Sequence, residues 1–187
     1  MLYKFKTNKN MKSFITSVFI LFTVLLTAQD WEKYKSVDLA FITEFPGKPQ
    51  RTTQQIETAV GELDMHMVGY GSSQVGDNIY YAVVRSDYPK EQFSDMSDEK
   101  IKSILDGAVN GAVNNVQGTL ESDEDITLNG YPGRKIKIDA PGMEIFMNAY
   151  LVENVMYINQ VIAEEDKVNS DNLKKFFSAF DIINVKQ

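Results

Sequence analysis

His66 is the only histidine in a chain of 187 residues that contains no cysteine. Thiolate nucleophiles, cysteine-ligated zinc and iron–sulfur clusters are therefore ruled out, because each of them needs a thiol. The common zinc sites without thiolates need two or three imidazoles, and the chain offers one. No serine lies in a Gly-x-Ser-x-Gly turn for which His66 could act as general base. We predict that His66 is a surface or half-buried strand residue. The sequence nominates no catalytic, cofactor-binding or metal-ligating residue.

Carboxylates are numerous, with 26 Asp and Glu residues, so catalysis by a pair of acids is compatible with the composition. Two consecutive acidic runs, residues 123–125 (Asp-Glu-Asp) and residues 164–166 (Glu-Glu-Asp), could bind Ca²⁺ weakly. Neither run has the alternating spacing and the glycine of a calcium-binding loop, and consecutive residues on a strand point to opposite faces. We interpret both runs as solvated charge at the ends of elements. We expect the domain to need no metal and to hydrolyse nothing.

A local basic cluster consists of Arg134, Lys135 and Lys137, with Tyr131 nearby. It could receive an acidic partner, although a strand with one solvent-facing side explains it as well. The glycine-rich segments match no phosphate-binding loop, because no Gly-Lys-Ser/Thr follows them. Five aromatic residues could surround a small-ligand pocket or pack in the core: Tyr80, Tyr81, Phe146, Tyr150 and Tyr157.

The first 28 residues have the composition of a secretory signal peptide. They contain four lysines and no acidic residue, and an apolar run of about 13 residues precedes Ala28 and Gln29. That run is shorter than the roughly 20 residues of a membrane-spanning helix, although an uncleaved anchor is the alternative. We predict cleavage after Ala28 and an exported protein, periplasmic or extracellular. A bacterial lipoprotein needs a cysteine after its signal peptide, so we expect this protein not to be one.

The charge balance is acidic. The whole chain has 19 Lys and Arg residues and a net charge of −7. Removal of residues 1–28 takes away four lysines and no acid, which leaves 15 basic and 26 acidic residues and a net charge of −11. Nucleic acids and anionic membrane surfaces repel such a protein. Residues 29–187 are enough for one domain with its own core.

The stretch 126–163 predicts a meander of three or four antiparallel strands. Turn residues interrupt its apolar runs at positions 129–133, 140–142 and 153–154, where glycine allows positive φ and proline fixes φ. Four further strands are predicted earlier in the chain, over residues 36–45, 50–58, 62–70 and 78–85. Residues 31–35 are interpreted as a polar lead-in, and residues 181–185 as a final short strand.

Two amphipathic helices are predicted. The first covers residues 97–117, with Ser97 as N-cap and Gly118 at C′. Its apolar positions repeat at helical spacing and predict packing on a sheet: Ile101, Ile104, Leu105, Ala108, Val109, Ala112, Val113 and Val116. The second helix is predicted to have Ser170 as its N-cap, and its apolar side consists of Leu173, Phe176, Phe177 and Phe180. The order β-β-β-β-α-β-β-β-β-α-β predicts an α+β fold, a three-layer α/β/α sandwich with a central antiparallel sheet.

The chain resembles the PsbP-like fold family. The resemblance rests on residues 45–49 (Phe-Pro-Gly-Lys-Pro), Tyr88-Pro89, residues 128–134 (Leu-Asn-Gly-Tyr-Pro-Gly-Arg) and residues 177–180 (Phe-Ser-Ala-Phe). Members include the PsbP protein of photosystem II, a yeast nuclear-import factor that binds the GTPase Ran, and exported bacterial proteins of unknown role. The resemblance implies the α/β/α sandwich and a non-enzymatic accessory or binding role. No motif matches a functional residue of either named member, so their binding surfaces are not transferred.

These observations predict an exported, non-enzymatic binding or accessory module whose partner is another envelope or extracellular protein. A carrier of a small apolar ligand is the alternative, and a carboxylate-dependent hydrolase is a less favoured one. The three hypotheses differ in the surface they require. A flat exposed patch favours the first, a closed apolar cavity the second, and a deep pocket with two facing acids the third.

Overall fold

The computed structural model describes residues 31–58, 61–93 and 96–183. The predicted signal peptide, residues 1–28, lies outside the described residues. Within the described ranges, no helix is both long enough and apolar enough to cross a membrane.

A seven-stranded antiparallel sheet forms the centre of the domain. Its strands are β3 (Gln50–Thr58), β4 (Gly61–Gly71), β5 (Tyr80–Asp87), β6 (Thr119–Leu128), β7 (Tyr131–Ala140), β8 (Met143–Val152) and β9 (Val155–Glu164). Their spatial order is β3-β4-β5-β9-β8-β7-β6. The predicted meander is confirmed, because β6 to β9 are successive neighbours joined by two-residue turns. Asn129 and Gly130 have φ values of 52° and 86°, as the tight turn between β6 and β7 requires.

A second, three-stranded sheet was not predicted. It consists of β1 (Glu32–Ser36), β2 (Phe41–Phe45) and β10 (Asp181–Ile182), with β2 in the middle. The interpretation of residues 31–35 as a lead-in was therefore wrong, and so was the single strand over residues 36–45. The chain turns between β1 and β2. The Ser36 side chain accepts a hydrogen bond from the Leu39 amide at 3.3 Å, and Ala40 adopts a left-handed φ of 56°. Of the predicted last strand, residues 184 and 185 lie outside the described part.

Both predicted helices are present, α1 (Asp98–Asn115) and α2 (Ser170–Ala179), together with a 3₁₀ turn (Lys90–Phe93). Ser97 caps α1 as predicted, by accepting from the Lys100 amide at 3.3 Å. The predicted C′ residue of α1, Gly118, is off by one position. The left-handed position is Gln117, with a φ of 52°, and Gly118 follows it and donates to the Val113 carbonyl at 3.1 Å.

Gly118 is needed there for space, since a Cβ would lie 2.6 Å from the carbonyl oxygen of Asp139. The start of α2 also differs by one residue from the prediction. Its N-cap is Asn169, whose side chain accepts from the Asn172 amide at 3.1 Å, and Ser170 is the first helical residue.

The layers follow from which face each helix covers. On one face of the large sheet, α1 buries Leu105 and Val109 against β7, β8 and β9, as its apolar stripe predicted. On the other face, α2 and the three-stranded sheet share one aromatic core, in which Phe176 lies 5.4 Å from both Phe45 and Tyr81, measured between ring centroids. The three-layer α+β sandwich is thus confirmed, with the correction that one outer layer contains a small sheet as well as a helix.

Candidate functional site

A cleft of about 590 Å³ lies between α2 and the three strands β6, β7 and β8. Two rows of residues across these strands form its floor: Glu124, Lys135 and Asn148 in one row, and Ser122, Lys137 and Phe146 in the next. Four residues of α2 form the other wall: Leu173, Lys174, Phe177 and Ser178. The floor residues share a face because alternate residues of a strand point to the same side.

The apolar part of the cleft results from how α2 docks. Phe176 is fully buried in the aromatic core, and Phe180 is 5% exposed and stacks on Tyr150 at 6.1 Å. These two rings fix the helix against the sheet. Leu173 and Phe177 lie on the margin of the same apolar stripe, remain partly exposed, and line the cleft from the helix side. The cleft is therefore the place where the core between α2 and the sheet opens to solvent.

Two asparagines lie at the inner end of the cleft floor. Asn148 lines the cleft, and the residue opposite it on the next strand is Asn159. Asn159 is completely buried, and neither its amide nitrogen nor its carbonyl oxygen has a hydrogen-bond partner. A buried polar side chain without partners costs about 1–3 kcal/mol, so such residues are rare in packed cores. The row that forms the cleft floor thus continues inward into an unsatisfied polar group.

The lysines of the cleft differ in how they are paired. Lys137 binds Glu121 at 2.7 Å and also Glu144, and its ammonium lies 5.6 Å from the centre of the Phe146 ring. Hydrogen bonds, first to Glu121 and then to Glu144, raise the pKa of Lys137 above its usual value. A bulge in β6 after Leu120 helps this arrangement, because it lets an extra residue approach β7.

Lys135 has a weaker contact, with its ammonium 3.4 Å from Glu124. Lys174, on the helix wall, has no ion pair or hydrogen bond to any residue that the structure describes. It is the unpaired charge of the cleft lining.

The predicted basic cluster is divided between the two faces of the sheet. Lys135 and Lys137 line the cleft, whereas Arg134 points to the α1 side and binds Asp106 at 2.7 Å as well as Asp123. These contacts, chiefly the hydrogen bond to Asp123, raise the pKa of Arg134. Arg134 therefore joins α1 to the edge strand and is not free to receive an acidic partner.

The five aromatic residues considered for a pocket do not surround one cavity. Phe146 lines the cleft, but Tyr81, Tyr150 and Tyr157 are buried in the aromatic core. Tyr80 lies on the opposite face of the sheet, where its ring covers Gly69 so closely that a Cβ there would collide with the phenol. Alternation within β5 explains the separation, since Tyr80 and its neighbour must point to opposite sides.

His66 is half-buried in β4, as predicted, and its Nδ1 lies 2.9 Å from the hydroxyl of Thr53. The interpretation of residues 123–125 as charge at the end of an element was wrong, because they lie within β6, where Asp123 and Asp125 contact Arg134. The second acidic run does lie at the end of a strand, β9, and its Glu164 contacts Lys167. Over residues 31–58, 61–93 and 96–183, no group of three His, Cys, Asp or Glu side chains could hold a metal ion.

Sequence reasoning missed the cleft. Leu173 and Phe177 were predicted as apolar helix residues, without the finding that they stay partly open. Asn148 and Asn159 are polar residues in the mainly apolar strands β8 and β9, which also contain Glu144 and Gln160. A polar residue in a strand buried on both faces is uncommon and could have been singled out.

The fold is similar to that of cyanobacterial PsbP (CyanoP) from Synechocystis sp. PCC 6803, known as a solution structure. The TM-score is 0.52 at 12% sequence identity, over 85% of this chain and 96% of that chain. No family model matches the sequence, and no curated protein matches it significantly. The PsbP-like fold expected from the sequence motifs is thus confirmed, and at this identity the likeness concerns the fold alone.

Proposed function

We propose that this protein is an exported, non-enzymatic binding protein that holds a small ligand in the cleft between α2 and strands β6–β8. The observation that carries the proposal is the cleft itself: about 590 Å³, with Leu173 and Phe177 as apolar lining on the helix side and a floor that leads to the unpartnered Asn159. Ligand sites commonly have volumes of about 300–1,000 Å³, mostly apolar walls and a few polar groups that orient the ligand.

The chemistry of the lining favours binding over catalysis. Glu124 is the single carboxylate among the residues that line the cleft. Hydrolysis by paired carboxylates needs two acids that face each other across the substrate, and one acid does not supply both roles. Glu124 is also 62% exposed in its side chain and is in contact with Lys135. The carboxylate-hydrolase alternative therefore receives no support from this site.

The accessory-module hypothesis requires an exposed apolar patch for another envelope or extracellular protein. Large apolar side chains that are exposed within the described ranges are Val37, Val75, Ile79 and Leu120. They belong to three separate segments: the β1–β2 turn, the β4–β5 loop and β6. Single exposed apolar residues are normal on protein surfaces. The ligand-carrier alternative is therefore the better supported of the two.

Export is the second part of the proposal. Its support is the basic, then apolar, composition of residues 1–28. We expect N-terminal sequencing of the protein recovered outside the cytoplasm to begin at or near Gln29. Recovery of the protein in a membrane fraction with residues 14–26 retained would overturn this part.

The binding proposal can be tested with N-phenyl-1-naphthylamine, a neutral apolar probe whose fluorescence rises in apolar surroundings. We expect the mature protein to bind it with a saturable signal. Ser178→Trp places a large ring in the cleft from the exposed side of α2 and should reduce binding at least about fivefold, by excluding the probe. Asn110→Trp, at an exposed position of α1, is the matched control and should bind like the parent. Equal binding by both variants, or none by the parent, would contradict the proposal.

A further inference from the structure

We infer that the ligand of the cleft is an amphiphile with an apolar body and one anionic head group, and that Lys174 receives the head group. This inference rests on the proposed function, because it specifies the ligand of the same site. It uses two observations that the binding proposal does not need: the sign of the charges that line the cleft and the way in which they are paired.

The charge of the lining is opposite to that of the chain. The protein as a whole has a net charge of −7, with 26 acidic residues against 19 basic ones. The charged residues that line the cleft are Lys135, Lys137, Lys174 and Glu124. Carboxylates pair with Lys135 and Lys137, which leaves Lys174 as the uncompensated cation beside the apolar lining. An uncompensated cation in an otherwise acidic protein favours a negatively charged ligand there, because complementary charge attracts it.

The pairing of these lysines shows which of them is available. Lys137 is held between Glu121 and Glu144, so a ligand would have to compete with two carboxylates for it. The ammonium of Lys135 lies 3.4 Å from the carboxylate of Glu124, so Lys135 already has a partner. Lys174 has no partner among the described residues and is exposed on the helix wall. A new ion pair therefore forms at Lys174 without breaking an existing one.

The apolar residues fix the direction of the ligand. Leu173 and Phe177 come immediately before Lys174 and three residues after it on α2, and Phe146 lies across the cleft on β8. An apolar chain packed between Phe146 and Phe177 would leave its head group at the level of Lys174. A flexible lysine with three donors can follow a carboxylate, sulfate or phosphate head group, so the inference concerns the charge and not one particular head.

The test compares decanoate with 1-decanol, which have the same chain and differ in charge, by isothermal titration calorimetry of the mature protein. We expect decanoate to bind about five- to tenfold more tightly, as one charge-assisted contact would give. Lys174→Glu should abolish this preference, so that decanoate binds no more tightly than 1-decanol. Lys175→Glu is the matched control. It makes the same charge change on the same helix at a residue whose ammonium lies over Trp31, 4.6 Å from the ring centre, and should keep the preference.

The outcomes separate the two proposals. If both compounds bind the parent equally, or if Lys174→Glu and Lys175→Glu weaken decanoate to the same degree, the anionic head group at Lys174 is refuted and the cleft remains a binding site. If neither compound binds, both proposals fail. Added salt gives an independent check, because it should weaken decanoate binding and leave 1-decanol binding unaffected.

Discussion

Asn78 and Asn169 are 91 residues apart in the chain and are joined by two hydrogen bonds between the side chain of Asn78 and the backbone of Asn169. The Asn78 amide nitrogen donates to the Asn169 carbonyl at 3.1 Å, and the Asn169 amide donates to the Asn78 carbonyl oxygen at 2.9 Å. Asn78 is fully buried and also donates to the hydroxyl of Tyr81. The pair connects the β4–β5 loop to the N-cap of α2, which is the helix that forms one wall of the cleft.

Asn78→Ala should therefore destabilise the protein by about 2–3 kcal/mol, since it leaves buried partners unsatisfied. The free energy of unfolding in urea measures this loss. Asn110→Ala removes an exposed asparagine from α1 and should stay within about 0.5 kcal/mol of the parent. Equal stability of the two variants would show that the pair does not hold α2 in place.

Asn159→Leu should stabilise the protein by about 1–2 kcal/mol, because it replaces a buried amide that has no partner with an apolar side chain of similar size. Asn159→Asp, which would bury a charge at the same position, should destabilise it. Urea unfolding of both variants gives the comparison. A less stable Asn159→Leu would mean that the amide is satisfied in solution, for instance by buried water.

Leu105→Asp should unfold the domain or cost several kcal/mol, because it places an unpaired charge where α1 contacts β8 and β9. Ser103→Asp makes the same kind of change on the exposed side of α1 and should melt close to the parent. Thermal melts followed by circular dichroism distinguish the two. If Leu105→Asp melted at the same temperature as the parent, the apolar stripe of α1 would not be part of the core.

Asp38 should contribute a pH-dependent part of the stability. Hydrogen bonds, first from Ser36 and then from Arg51, lower the pKa of Asp38 to about 2 from an ordinary value of 3.8. A carboxyl whose pKa is lowered on folding stabilises the folded state above its unfolded pKa, and the contribution disappears as the pH falls through the folded pKa.

Asp38→Asn should accordingly lower the urea midpoint at pH 6, by a small amount because the group is exposed, and the difference from the parent should close between pH 4 and about pH 2. A difference that persists at pH 2 would mean that the charge of Asp38 is not its cause.

Local patterns predicted most of the fold. The apolar stripe of α1 and the turns at Asn129-Gly130 and Glu153-Asn154 depend on neighbours in the sequence, so they could be read directly. The apolar alternation of residues 36–45 predicts one strand. The break between β1 and β2 was missed because it depends on hydrogen bonds of the Ser36 side chain, which the alternation does not indicate. The single predicted sheet became two because β2 pairs with β1 and with β10, from the end of the chain, and not with a strand of the large sheet.

The cleft could not be predicted in the same way. Leu173 and Phe177 have the spacing of core residues, and whether such residues are buried depends on how far α2 docks over the sheet. That distance is set by contacts between remote segments, such as Phe180 on Tyr150 and the Asn78–Asn169 pair. Which lysine is unpaired is equally non-local, because Lys137 is neutralised by residues of both neighbouring strands.

The central claim is that a small ligand occupies the cleft between α2 and strands β6–β8. Isotope-filtered nuclear Overhauser spectra of the mature, labelled protein with unlabelled decanoate test it most directly. We expect contacts from the decanoate chain to Phe146, Leu173 and Phe177. Contacts confined to Met67 and Tyr80, on the opposite face of the sheet, or no contacts at all at saturating decanoate, would contradict it.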